Sequence, residues 1–209
     1  MKKFELTSEF ITNVLGTKLF RIKALIEFGD VSAGELGGYI EKEENLAQDG
    51  DAWVCGDAKV YGNAKVCGDA WVCGDAWVCG DAWVCGDAKV YGNAKVYGNA
   101  KVYGNAKVCG DAWVCGNAKV CGDAWVCGDA DYSTVKGFGR IFRTTTFFRK
   151  KDKDISVSCG CFYGTLEEFR KKVKETHGES KTAKEYLMLA DLMEYKFSRE
   201  MDVEEEVNQ

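Results

Sequence analysis

The chain has 209 residues, with 28 Lys+Arg against 33 Asp+Glu and a net charge of −5, a balance that excludes a globally basic nucleic-acid binder. Proline is absent, glycine reaches 24 and there is a single histidine. No segment approaches the roughly 18 uninterrupted apolar residues of a membrane span.

The opening residues carry two lysines with no apolar run behind them, so no secretory leader is expected. Nine of the eleven cysteines occupy one repeated position, a pattern of duplication and not of bridge pairing. They are expected to be reduced thiols in a cytoplasm.

Residues 1–50 read as a cap. Residues 18–26 alternate like a strand, and Ile40 and Leu46 stand six apart before a two-residue slip sets the register of the later hexads.

From residue 51 to 128 the chain repeats every six residues, with valine at thirteen successive positions from Val54 to Val126. Asp-Ala-Trp-Val-Cys-Gly occurs six times and Asp/Asn-Ala-Lys-Val-Tyr/Cys-Gly seven times. Each unit holds a short alternating stretch, as a strand requires. Ala and Val never change, whereas the residue between them is Trp or Lys. An unpaired lysine is costly to bury, so Ala and Val point inward. Gly followed by Asp or Asn makes the corner. Short strands and corners of constant length predict a solenoid with parallel sheets.

This period resembles the hexapeptide-repeat, left-handed parallel β-helix family, in which an aliphatic residue fills the inner position and three hexads make one triangular coil. The resemblance implies that residues 18 apart stack. One face then carries Lys59, Trp77, Lys95 and Trp113; a second carries Trp53, Trp71, Lys89, Lys107 and Trp125; the third carries Lys65, Trp83, Lys101 and Lys119. Lysines beside indoles give cation–π contacts of about 0.5–1 kcal/mol each and keep like charges apart. Six outward Trp, with Tyr61, Tyr91, Tyr97 and Tyr103, form a large aromatic surface. Members of the family commonly trimerise, so self-association through these residues is expected.

After residue 128, Ala130 and Tyr132 keep the phase for one last degenerate unit, and the array is taken as residues 51–133. Residues 134–209 read as a small α+β domain. Residues 138–149 and 155–161 are two strands around the polar loop 150–154. Thr165 and Glu168 form a capping box opening a helix that stops near His177 and Gly178. A second helix is expected from Thr182 to about Arg199, packing Tyr186, Leu189, Leu192, Met193 and Phe197, with the last residues frayed. The fold class is therefore mainly β: a left-handed parallel β-helix with an N-terminal β cap and a C-terminal α+β domain. The segments 28–48 and 157–178 are similar to the entry cap and tail of phage- and prophage-encoded members, which implies a phage origin and a role against a host factor.

The family's acyltransferases use a histidine and its carbonic anhydrases three, but the array has none and no excursion loop. No catalytic residue, metal or cofactor is expected. His177 could serve as a base beside Cys159 or Cys161; a helix-end residue suited to the dipole is preferred. In-register coils place Cys55 near Cys73, Cys67 near Cys85 and Cys109 near Cys127, where thiols could bind soft metal or oxidise; compact fillers are preferred. Stacked corner aspartates such as Asp57 and Asp75 need no cation.

Residues 136–174 hold eleven basic side chains against four acidic. Lys136, Arg140, Arg143, Arg149, Lys150 and Lys151, with Lys153, Arg170, Lys171, Lys172 and Lys174, make a candidate anion or partner patch. The alternative is a solvated face. The function expected is a non-catalytic, self-associating cytoplasmic scaffold, a trimer bound to a host protein. The rivals are a binder of nucleotide, nucleic acid or phosphate, and a degenerate acyltransferase. No membrane partner is expected.

Overall fold

The computed structural model describes residues 2–139 and 141–206, the side chains of 199–206 excepted. The chain divides into two compact units, residues 1–129 and 130–209.

In the first unit, thirteen two-residue strands, from β4 (Trp53–Val54) to β16 (Trp125–Val126), recur every six residues. The first ten each pair in parallel with the strand 18 residues on, as Val54 with Val72, Val72 with Val90, Val90 with Val108 and Val108 with Val126. Three hexads therefore make one coil, and the array has three faces, with five strands on the longest. The repeated Ala and Val are at most 1% exposed, so they form the interior as expected. Strand ladders and corners bond alike from coil to coil, as in Trp71 N–H to Ala88 O at 2.9 Å and Asp69 N–H to Gly86 O at 3.0 Å. This regular pairing satisfies the backbone between neighbouring coils, and side chains are needed only towards the ends.

The corner needs glycine for two reasons. Gly74 has φ +71°, and a Cβ there would sit 3.1 Å from the backbone N and O of Gly92 in the next coil. Beside it, Asn and Asp divide the work. The Asn63, Asn93 and Asn105 amides each donate to the Asp81, Asp111 and Asp123 carboxylates at 3.0 Å.

The cap is an antiparallel hairpin of β1 (Phe4–Thr12) and β2 (Lys18–Ala24), continued by β3 (Leu36–Ile40), which joins the array in parallel. Ile40 pairs with Val60 and Leu46 with Val66, both 20 residues apart where the array uses 18. The two-residue slip is therefore real. Gly37 and Gly38 let β3 come close: a Cβ would lie 2.6 Å from the Val54 carbonyl or 2.7 Å from the Ala58 carbonyl. Two buried polar side chains close this end. Lys3 Nζ donates to the carbonyls of Ala52 at 2.9 Å and Gly50 at 3.1 Å, and the Asn45 amide donates to those of Ala64 at 2.8 Å and Gly62 at 3.1 Å. Burial pushes the Lys3 pKa down, against the pull of Asp51, Asp49 and Asp69.

The second unit is a four-stranded antiparallel sheet, β17 (Tyr132–Phe138), β18 (Arg143–Arg149), β19 (Ile155–Cys159) and β20 (Phe162–Thr165), followed by α1 (Leu166–His177) and α2 (Lys181–Glu206). Tyr132 opens β17 and does not extend the array, because Asp129–Asp131 forms a 3-10 turn that ends the six-residue phase. The expected strand 138–149 is broken by a turn at Gly139, which has φ +72°. The loop 150–154 and the Thr165–Glu168 capping box are as expected. Helix α2 runs past Arg199 to Glu206, since no glycine or proline interrupts it. Its buried stripe is Tyr186, Leu189, Ala190, Met193 and Phe197; Leu192 lies off that stripe and is exposed.

Candidate functional site

Two regions carry chemistry, one in each unit. On the solenoid, the three predicted columns form in register: Lys59, Trp77, Lys95 and Trp113 on one face, Trp71, Lys89, Lys107 and Trp125 on the next, and Lys65, Trp83, Lys101 and Lys119 on the third. Lysine ammonium groups lie over the indoles. Lys95 is 4.4 Å from the Trp113 ring centre and 5.6 Å from that of Trp77. Trp83 is flanked by Lys65 at 5.6 Å and Lys101 at 5.1 Å, and Lys107 lies 4.7 Å from Trp125. Like charges are not fully separated, because Lys89 pairs with Lys107 and Lys101 with Lys119. Lys101 and Lys107 each have an indole on their other side.

Tyr61 meets the Trp77 ring edge-on at 6.3 Å, and Tyr97 meets Trp113 at 6.4 Å. Burial and the Cys79 thiol push the Tyr61 pKa up, and a hydrogen bond to Cys115 does the same for Tyr97. Tyr91 and Tyr103 are half-buried in the other two columns. Trp83 and Trp113 are 41% and 46% exposed, while Trp71, Trp77 and Trp125 are half-buried. Trp53 corrects the sequence reading. It is fully buried, edge-on to Phe28 at 5.4 Å, because the cap closes over the first coil. Five outward indoles remain.

The same register aligns the thiols. Cys55–Cys73 and Cys109–Cys127 are disulfides between adjacent coils, with Cα atoms 4.6 Å and 4.3 Å apart. This corrects the expectation that these four are reduced fillers: neighbouring strands hold the Cα atoms at bridging separation without backbone movement. Cys67 and Cys85 are free and close enough for the second thiol to raise the pKa of the first, together with burial.

In the second unit the residues of the predicted basic patch differ in their settings. Arg149 is buried at 8% exposure, donates to the Phe197 carbonyl at 2.5 Å and lies 3.8 Å from Asp131, so it is a structural residue. Arg170 pairs with Asp191 at 2.8 Å and Glu194 at 2.7 Å, which raises its pKa, and Lys150 pairs with Asp152 at 3.3 Å. Lys136, Lys151, Lys153, Lys171 and Lys174 are exposed; Arg140 lies outside the described residues.

Arg143 and Lys172 instead border a cleft of about 460 Å³, which the structure also lines with Cys159, Cys161 and His177. His177 ends α1 and stacks on the Tyr186 ring at 6.0 Å. Burial and the Cys159 thiol push the Tyr186 pKa up to about 12. The sequence named the two cysteines and the histidine but missed the cleft's Tyr186, Phe162 and Phe169. The helical spacing of Tyr186 marked it as core, with no sign that its ring also borders a cavity.

Among the described residues, no cluster of three or more His, Cys, Asp or Glu could hold a metal ion, and no helix is long and apolar enough to cross a membrane. No protein-family model and no curated protein matches the chain. The fold defines the class: a parallel β-solenoid of about five coils, with a small α+β unit after it.

Proposed function

We propose that this chain is a non-catalytic, self-associating solenoid of the hexapeptide-repeat kind, wound left-handed, that serves as a phage-encoded binding scaffold directed at a host factor. The observation that carries the reading is the placement of Trp83 and Trp113, which stand 41% and 46% exposed on two different faces of the array. A closed three-fold ring needs two unlike patches, one on each side of every protomer. Exposed indoles set among lysines supply an apolar centre and a polar rim on both. The array's lack of histidine supports a binding role over acyl transfer.

Lysine already occupies the Trp position in seven of the thirteen hexads, so Trp-to-Lys exchange is compatible with the coil. Light scattering at micromolar concentration should return three times the 23.1 kDa chain mass for the native protein. The double variant Trp83→Lys/Trp113→Lys should return one chain mass while keeping the far-UV circular dichroism of the native fold, its melting temperature lowered by the loss of assembly. A monomeric native protein would sink the proposal. Stabilisation by acyl-CoA in a thermal-shift assay would favour the transferase reading instead.

A further inference from the structure

We propose that the cleft of the second unit is a binding site for a small amphiphilic anion: a planar apolar body of one or two rings carrying one phosphate or carboxylate group. This is independent of the self-association argued above and uses no residue of the solenoid.

The cleft is two-sided in its chemistry. Its floor is apolar, from Phe162, Phe169, Val173 and Tyr186, of which the last three are at most 7% exposed and fixed in the core of the unit. Its border carries Arg143, Lys172 and His177, and among the described residues no carboxylate lines it. Lys172 has Glu175 at 3.6 Å, a pair between exposed side chains that leaves the ammonium available to water or an anion. Arg143 makes no salt bridge among the described residues.

The Arg143 guanidinium lies close to Gly160, whose φ of +65° makes the turn between β19 and β20 and which stands in the sequence between the two cysteines that line the cleft. Thr145 donates to the Cys159 sulfur at 3.2 Å, which fixes that wall, while Cys161 is exposed and free.

Such a site discriminates by combination. Bare phosphate meets only solvated cations, and a neutral ring meets only the floor. A ring bearing an anion engages both, and a volume of about 460 Å³ is within the range of small-molecule pockets.

The chain's single histidine lies in the cleft, so its imidazole proton signals report the site without overlap. The full-length protein is titrated with 1-naphthyl phosphate, 1-naphthoate, 1-naphthol and inorganic phosphate while the His177 resonance is followed by NMR. The rate of Cys161 alkylation by iodoacetamide gives a second readout. The two naphthyl anions should bind with sub-millimolar affinity, at least tenfold tighter than naphthol or phosphate, and slow the alkylation. Comparing them tells a phosphate from a carboxylate ligand. Arg143→Gln/Lys172→Gln, both exposed positions, should weaken naphthyl phosphate at least tenfold, leave naphthol unchanged and preserve the melting temperature. Equal binding of naphthol and naphthyl phosphate, equal binding of inorganic phosphate alone, or no response up to about 10 mM would each overturn the proposal.

Discussion

The two disulfides sit at the ends of the array's longest column. Cys55–Cys73 joins the first two coils, Cys109–Cys127 joins the fourth and fifth, and Tyr91 occupies the same position between them. A solenoid contacts itself only between neighbours, so its terminal coils are the ones that fray. Each bridge closes a separation of 18 residues, for which the chain-entropy estimate is about 3 kcal/mol. The loops do not overlap, so removing both should cost about 6 kcal/mol. At roughly 2–4 °C per kcal/mol, that lowers the melting temperature by about 12–24 °C. The test compares the native chain with Cys55→Ser/Cys73→Ser, Cys109→Ser/Cys127→Ser and the quadruple variant, by circular dichroism with and without a phosphine reductant. Thiol titration of the unreduced native protein should find seven free cysteines of the eleven. Eleven titratable thiols, or a quadruple variant melting with the native chain, would refute the reasoning.

Trp53→Lys should destabilise the first unit by about 3–5 kcal/mol, since it empties a packed site and buries an ammonium; Trp83→Lys, titrated in urea at a concentration too low for assembly, should cost far less. Lys3→Met leaves the carbonyls of Ala52 and Gly50 without their donor and should cost about 2 kcal/mol by chemical denaturation. Arg149→Met should cost more than Arg170→Met, because Arg170 and its carboxylate partners lie nearer the surface; calorimetry of the two variants orders them. The Tyr186 hydroxyl keeps its proton to about 12 when folded against about 10 unfolded, so the folded state holds more protons in that window. Stability should therefore fall as pH rises from 10 through 12, and Tyr186→Phe should flatten that decline.

The coil was legible because its evidence is internal to the chain. Thirteen valines at one spacing set the period, and the exchange of Trp for Lys at one position settled which face is wet. The columns followed from the 18-residue stacking that the family resemblance implied. Trp53 was misplaced because its cassette is identical to its neighbours and only the cap, held close by Gly37 and Gly38, distinguishes it. The disulfides were not legible either. Spacing placed Cys67 near Cys85 as it did Cys55 near Cys73, and only the structure separates the free pair from the bonded one. In the second unit, charge density suggested a patch, but counting charges cannot show that Asp191 and Glu194 meet Arg170 or that Arg149 turns inward to Phe197. The cleft joins residues from Ile141 to Tyr186, a span without local periodicity.

Most proteins fix strand register through what they bury. Here the buried column of Ala and Val is the same in every hexad, so a slide of six residues would leave the interior indifferent. Such a slide would carry Cys73 away from Cys55, move Lys95 off Trp113 and part Asn93 from Asp111. The address of each coil is thus written on the solvent side, in sulfur, indole and amide, and mutations there can misalign a chain whose inner packing is untouched.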